Sequence, residues 1–339
     1  MLRLASLFIL AALPATNAFA QAETASAFIE AGLRRSNHKD YKGAISDYNI
    51  AITYDSTDAI VYFDRGYAED KLGNYHQAIR DYNRALALSP DDADVYVDRG
   101  LTYDNLGNLP QALRDFDKAL LLHPNYPLAL LHRGMVKNER SDYSAAIEDF
   151  NLALKYKPKY VKAYMYRGEA RVHMKDYIRA IKDYDTAIRL NGKLELLYLK
   201  RSAVEIDLNE FKAAGSDLDI ANALDPRDPF AFDIRGILAE REGNSDLAIQ
   251  YYTKAIQFKP DFAEAFHARG YQYYRKVNLQ AALADLSRDL ELDPKDGWAY
   301  QWRGHIKWIL KMKDPCADFH KAADFHIREA EDAIKQFCQ

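Results

Sequence analysis

The sequence predicts an all-α solenoid of stacked helical hairpins, and three observations carry that prediction. A glycine returns every 34 residues, alanines follow it at fixed distances, and prolines fall at one phase of the same period. The unit is clearest in residues 59–92, AIVYFDRGYAEDKLGNYHQAIRDYNRALALSPDD. Blocks of this form begin at Ala25, Ala59, Ala93, Pro127, Val161, Glu195, Pro229, Ala263 and Gly297. An internal period held this long decides the architecture before chain length does.

Each block divides into two helical halves. Its eighth place holds Gly32, Gly66, Gly100, Gly134, Gly168, Ser202, Gly236, Gly270 or Gly304. Alanines follow at Ala44, Ala78, Ala112, Ala146, Ala180, Ala214, Ala248 and Ala282, then at Ala51, Ala85, Ala119, Ala153, Ala187, Ala221 and Ala255, a series that Asp289 breaks. Small residues on facing surfaces let two antiparallel helices approach closely, while Tyr62, Tyr82 and their equivalents fill the flanks. Apolar spacings of three and four make both halves helical. Asp40, Asn74, Asn108, Asp142, Asp176, Asn244 and Asn278 fall where the second helix needs an N-cap. Pro90, Pro124, Pro158, Pro226, Pro260 and Pro294 end the second helices. A lone hairpin cannot bury its apolar face, so the hairpins stack.

Two blocks depart from the rule. The sixth has Ser202 for glycine and Asn191-Gly192 in place of the preceding proline, which predicts a bent or looser junction. The ninth is one residue short at Asp318-Phe319 and runs without proline into residues 327–339, an amphipathic stretch suited to capping the last stacking face.

With 48% hydrophobic and 28% charged residues the chain is a packed globular protein, and a net charge of −4 offers nothing to a phosphate backbone. Residues 1–20 read as a cleavable leader: Arg3 is the positive region, residues 4–13 the apolar one, Pro14 breaks any helix there, and Ala18-Phe19-Ala20 supplies the cleavage pattern. The competing reading, an uncleaved anchor, meets a stretch that is short and interrupted by proline. Export is the expectation, to a bacterial periplasm first with secretion as the alternative, and with no membrane insertion after cleavage.

The repeated pattern resembles the tetratricopeptide repeat, whose aromatic, Gly, Ala, aromatic, Ala and Pro positions are met by Tyr62, Gly66, Ala78, Tyr82, Ala85 and Pro90. The resemblance covers residues 21–326 and implies a right-handed superhelix of nine hairpins, closed by a capping helix in residues 327–339. It also implies a non-catalytic scaffold that holds a peptide or protein segment in a concave groove lined by the first helices. By that analogy the groove draws on Ile60, Phe63, Asp64, Tyr67, Asp98, Leu131, Met135, Met165, Tyr166, Phe230, Tyr271, Tyr274, Trp298 and Trp302. Acidic companions include Asp70, Asp94, Asp104, Glu139, Glu169, Asp233 and Glu240, so the expected ligand has apolar anchors and some positive charge. A structural subunit that assembles through its stacking ends is the alternative.

Arg65, Arg99, Arg133 and Arg167 precede the glycine in their blocks, and Asp81, Asp115, Asp149 and Asp183 recur on the second helices. A ladder for an anionic ligand is one reading. Mutual pairing is the stronger, because a buried unpaired guanidinium is costly and a residue present in every unit answers a need of the unit. Trp298, Trp302 and Trp308 crowd one helix, either as a binding hot spot or as packing for the terminal helix. Cys316 and Cys338 are the only cysteines and read as a disulfide in an exported chain. Cys316, His320 and His326 lack a fourth metal ligand, so neither metal nor cofactor is expected. Phosphate-binding loops, HExxH, GxSxG and CxxC motifs are missing, and no enzyme is predicted.

Overall fold

The computed structural model describes residues 12–338, which form nineteen helices and no strand. Arg3 and residues 4–11 of the expected leader lie outside the described residues. The helices group into two compact units, one ending at Met174 and the other beginning at Lys175.

In the first unit α1 (Ala12–Asn37) pairs with α2 (Tyr41–Tyr54), α3 (Ala59–Lys71) with α4 (Tyr75–Leu88), α5 (Ala93–Asn105) with α6 (Leu109–Leu122), and α7 (Pro127–Glu139) with α8 (Tyr143–Tyr156); α9 (Val161–His173) packs on α8. The second unit opens with α10 (Tyr177–Leu190). It then pairs α11 (Glu195–Asp207) with α12 (Phe211–Leu224), α13 (Pro229–Arg241) with α14 (Ser245–Phe258), α15 (Ala263–Arg275) with α16 (Leu279–Leu292), and α17 (Gly297–Ile309) with α18 (Pro315–Asp324); α19 (Arg328–Phe337) packs on α18. Every block start from Ala59 onward is the first residue of a helix. The first block differs, because α1 begins at Ala12 and passes through Pro14. A proline in the first turn needs no N–H partner, so Pro14 does not break the helix.

Most of the recurrent glycines face rings, while Gly270 faces Leu286. A Cβ added at Gly100 would stand 2.8 Å from Phe116, and one at Gly134 2.6 Å from Phe150. Where the glycine is lost the ring is lost too: Ser202 is fully buried opposite Leu218, and its hydroxyl turns back to donate to the Leu199 carbonyl at 2.9 Å. The sixth junction is therefore not looser. The helices flanking it keep the lengths of their counterparts, and the Tyr198 hydroxyl ties down the Gly192 carbonyl at 3.2 Å. The Tyr62 hydroxyl holds the Ser56 carbonyl in the same way at 3.3 Å, in another junction without proline.

Second helices start on side-chain caps at Asp40, Asn108, Asp142, Asn244 and Asn278. Asn74 instead donates to Glu69 at 2.7 Å, and Asp176 pairs with Arg179. First helices end in a left-handed residue whose N–H, with that of the next residue, returns to the last turn. Gly73, Gly107 and Gly243 hold that place at φ of 79°, 70° and 81°, but Val277 holds it at 59° with 75% of its surface exposed. A β-branched residue is strained there. Val277→Gly is expected to stabilise the α15–α16 hairpin by about 0.5–1 kcal/mol, after the entropy that glycine adds to the unfolded chain. Urea unfolding measures this, and a loss of stability would refute it.

The ninth block closes in a longer loop, residues 310–314, with Lys311 and Asp314 both left-handed, and α18 is only 10 residues long. Phe337 of α19 lies over Trp308 with ring centroids 4.3 Å apart and reaches Phe319 at 5.9 Å. Cys316 and Cys338 stand at disulfide distance with Cα atoms 5.7 Å apart, 22 residues apart in sequence. Closing such a loop stabilises the end of the chain by about 3 kcal/mol.

Candidate functional site

The arginines are consumed by the scaffold. The Arg65 Nε and Nη2 donate to the two Asp81 oxygens at 2.9 and 2.6 Å, while Nη1 reaches back to Asn49 of the preceding hairpin at 2.6 Å. Arg99 does the same with Asp115 and Asn83. Arg133 grips Asp149 and reaches Asp117 at 2.7 Å, and Lys137 adds a second cation to Asp149 at 2.7 Å. Arg167 donates to Asn151 at 2.6 Å, and Asp183 is buried on α10 in the second unit. In the seventh block Tyr251 takes the aspartate's place, and Arg235 sits over its ring and binds Asp219 at 2.5 Å. Guanidiniums engaged this way are not a ladder for an anionic ligand.

The remaining polar surface of α3 and α5 is mainly acidic. Burial, helped by Asp58, pushes Asp64 up to about 6, and its Oδ2 has no hydrogen-bond partner. Burial likewise pushes Asp98 up to about 6, opposed by Lys71 and reinforced by Asp70 and Asp94. Lys71 shows what such a surface attracts: its ammonium stands 3.2 Å from Asp70 and 4.6 Å from the centre of the Tyr67 ring. Thr102 donates to the other Asp70 oxygen at 2.8 Å.

Further along, α5, α7 and α9 enclose a hollow of about 380 Å³. Asp104, Glu139 and Glu169 line it in carboxylate, Met135 and Tyr166 in apolar surface, and Tyr143 stacks on His173 at its rim with centroids 4.8 Å apart. No lysine or arginine lines the hollow. Asn138 also lines it. Burial and the neighbouring Glu139 raise the Asp104 carboxyl, and burial, Glu169 and Asp104 raise the Tyr166 hydroxyl. A pocket with acceptors in excess and an aromatic wall is built for a donor that carries positive charge. Another hollow, of about 450 Å³, lies at the turns around Asp92 and Asp94, but Asp92 caps α5 and Asp94 accepts from Tyr126.

The face predicted from analogy is only partly a surface. Ile60 and Tyr67 are exposed, and Phe63 packs partly against the core with its ring 6.0 Å from Tyr82. Leu131 and Met165 are buried, so they are core rather than groove. In the second unit Phe230 is exposed, set edge-on to Phe262 at 5.1 Å under the Lys259 ammonium. Trp302 lies between Tyr271 and Tyr274 at 5.1 and 5.3 Å, and Trp298, 42% exposed, stacks on it at 6.0 Å. The tryptophans therefore split: Trp308 packs on the terminal helix, while Trp298 and Trp302 form an aromatic step. Burial and Glu264 push Asp233 up to about 7.

Sequence reasoning did not single out Asn138 and His173, although they stand at the twelfth and thirteenth places of their blocks, which the analogy assigns to the groove, and it missed Tyr143, which lies outside those places. It also missed a convergence of His267, Asp289 and Asp296 in the second unit, whose one visible sign was the aspartate that interrupts an alanine series. Among the described residues no helix is long and apolar enough to cross a membrane.

Family models of the TPR repeat match residues 66–107, and those of the tetratricopeptide repeat match residues 93–126, 139–194 and 234–262. A tetratricopeptide repeat protein from Parabacteroides merdae is similar in structure over 74% of this chain and 99% of its own, with a TM-score of 0.60 at 17% identity. Yeast Tom70 is similar over 92% of this chain and 94% of its own, with a TM-score of 0.53 at 15% identity. A chain of the APC/C hetero-tetramer Cut9-Hcn1 matches 92% of this chain and 76% of its own, with a TM-score of 0.60 at 17% identity. Identities this low speak for the fold alone. The UDP-N-acetylglucosamine–peptide N-acetylglucosaminyltransferase of Giardia intestinalis is 36% identical over 83 residues, 24% of this chain and 6% of that enzyme, so the match spans a small fraction of its length.

Proposed function

The chain is a tetratricopeptide repeat protein, and from that premise we propose that it is a non-catalytic scaffold binding a peptide or protein segment along the face of its first helices. The observation that supports this reading is the hollow between α5, α7 and α9, with its carboxylates and its aromatic wall. The occupant it suits is a lysine or arginine side chain flanked by apolar residues. Export is proposed with it, on the leader pattern and on a cysteine pair suited to an oxidising compartment.

The test is selection from a library of short peptides that alternate apolar residues with Lys or Arg, against a matching library carrying Asp and Glu. The cationic library is expected to yield binders, and Asp104→Lys with Glu139→Lys to weaken them at least about tenfold with helicity unchanged. Equal selection of acidic peptides would refute the reading. The pH dependence has a definite sign. Raised carboxyls such as Asp64 and Asp98 favour the free fold below the ordinary carboxylate range, and that contribution is lost as pH rises through about 6. Asp104, in the hollow itself, is raised in the same sense, and a bound cation needs it ionised, so affinity should rise from about pH 5 to about pH 7.5.

Self-association through the stacking ends is the second reading, favoured by the exposed Trp298. Concentration-dependent sedimentation that Trp298→Ala abolishes would support it. The capping of α17 and α18 by α19 weighs against it.

A further inference from the structure

We propose that His267, Asp289 and Asp296 form a binding site for a first-row divalent cation of the zinc type. Two of the three residues depart from the repeat at once. The fifth place of a block is apolar in the first six blocks, at Ile29, Phe63, Val97, Leu131, Met165 and Leu199, and polar in the last three, where Asp233, His267 and Gln301 fill it. The column that holds Ala51, Ala85, Ala119, Ala153, Ala187, Ala221 and Ala255 turns to Asp289 in that same block. Neither change answers a need of the hairpin, since the other blocks close without them. What they share is a position: α15 and α16 bring the two side chains against each other, and the turn before α17 adds Asp296.

The donor atoms converge. The His267 Nδ1 lies 2.7 Å from the Asp296 Oδ2 and 3.5 Å from the Asp289 Oδ2, and all three lie within 4.8 Å of one another. Ligands held at about 2.1 Å around a tetrahedral ion stand about 3.4 Å apart, so small side-chain adjustments bring this set onto one centre. Asp296 is already aimed: one oxygen caps α17 by accepting from the Ala299 N–H at 2.9 Å, which leaves Oδ2 facing the imidazole. Asp289 is 1% exposed, and the one donor near its Oδ2 is the His267 imidazole at the long distance of 3.5 Å. A carboxylate oxygen buried with so distant a donor is costly, and a cation is the partner that removes the cost.

The chemistry of the set selects the metal class. One imidazole nitrogen with two carboxylate oxygens suits zinc and its first-row neighbours better than calcium or magnesium, which prefer oxygen alone. His267 and Asp296 keep about a quarter of their side-chain surface open, so the site has an entrance and room for a water as fourth ligand.

The experiment uses the full chain without an affinity tag, oxidised at its cysteines and stripped with a chelator, then titrated with zinc chloride by calorimetry and thermal unfolding. Asp289→Ala and His267→Leu put back residue types that earlier blocks carry, so both variants are expected to fold. Wild type should bind one zinc ion per chain with a rise in Tm that EDTA reverses, and each variant should bind at least tenfold more weakly. Absence of saturable binding, or binding that Asp289→Ala leaves unchanged, would overturn the proposal. So would a wild type that ignores zinc while Asp289→Ala lowers its metal-free Tm, because the three residues would then be an ion cluster serving the fold alone.

Discussion

Replacing Asp149 by alanine should lower the unfolding free energy of the α7–α8 region by about 3–5 kcal/mol. This aspartate serves two cations, as Asp318 does in the ninth block with Arg303 and Lys307. The Arg133 guanidinium grips both oxygens of Asp149 and the Lys137 ammonium shares one of them, with the aspartate's own side chain 2% exposed. Removing it leaves two cations in a partly desolvated seam, and only Asp117 remains within reach of Arg133. The large cost is that of orphaned charge, not the net worth of the pair, which a well-packed apolar substitute would largely match. Hydrogen exchange of the α7 and α8 amides measures the local effect, and Asp149→Asn should retain part of the stability by keeping one acceptor. A loss below about 1 kcal/mol would mean that the seam is wet enough to solvate the cations.

The second large effect is a coupling. Gly134→Ser should cost about 1–3 kcal/mol, because the new Cβ stands 2.6 Å from the nearest Phe150 ring atom and 3.0 Å from two more. Phe150→Leu alone leaves a cavity and also costs stability. Together they recreate the Ser202–Leu218 arrangement that the sixth block already uses, so the double variant should be more stable than the sum of single losses by at least about 1 kcal/mol. Denaturant unfolding of the four proteins gives the cycle. Additive losses would show that the glycine serves the backbone and not the ring.

Much of this fold is legible because a hairpin imposes the same demand in every block. Gly66, Ala78, Tyr82 and Ala85 answer local contacts a fixed distance apart, and periodicity records them directly. The groove is less legible. Leu131 and Met165 occupy the same place of the block as the half-buried Phe63, yet both are buried, because exposure there depends on how closely the next hairpin packs. The αL position after the first helix escaped notice because only some blocks mark it with glycine; Lys39, Ser141, Asn209 and Val277 adopt it under the pull of the returning hydrogen bonds. His267, Asp289 and Asp296 meet across three elements, and no short motif spans that separation.

The backward reach of the arginines gives each unit a direction. Arg65, Arg99 and Arg133 bind their own hairpin with two nitrogens and the second helix of the hairpin before it with the third. Removing hairpins from the C-terminal side leaves every remaining guanidinium of the series fully engaged. Removing them from the N-terminal side strips one donor of its acceptor at each cut. The stack is thus polar in the sense that a growing filament is polar: its two ends differ in what the next unit must supply, and a chain emerging from its N-terminus always presents the finished acceptor before the arginine that seeks it arrives.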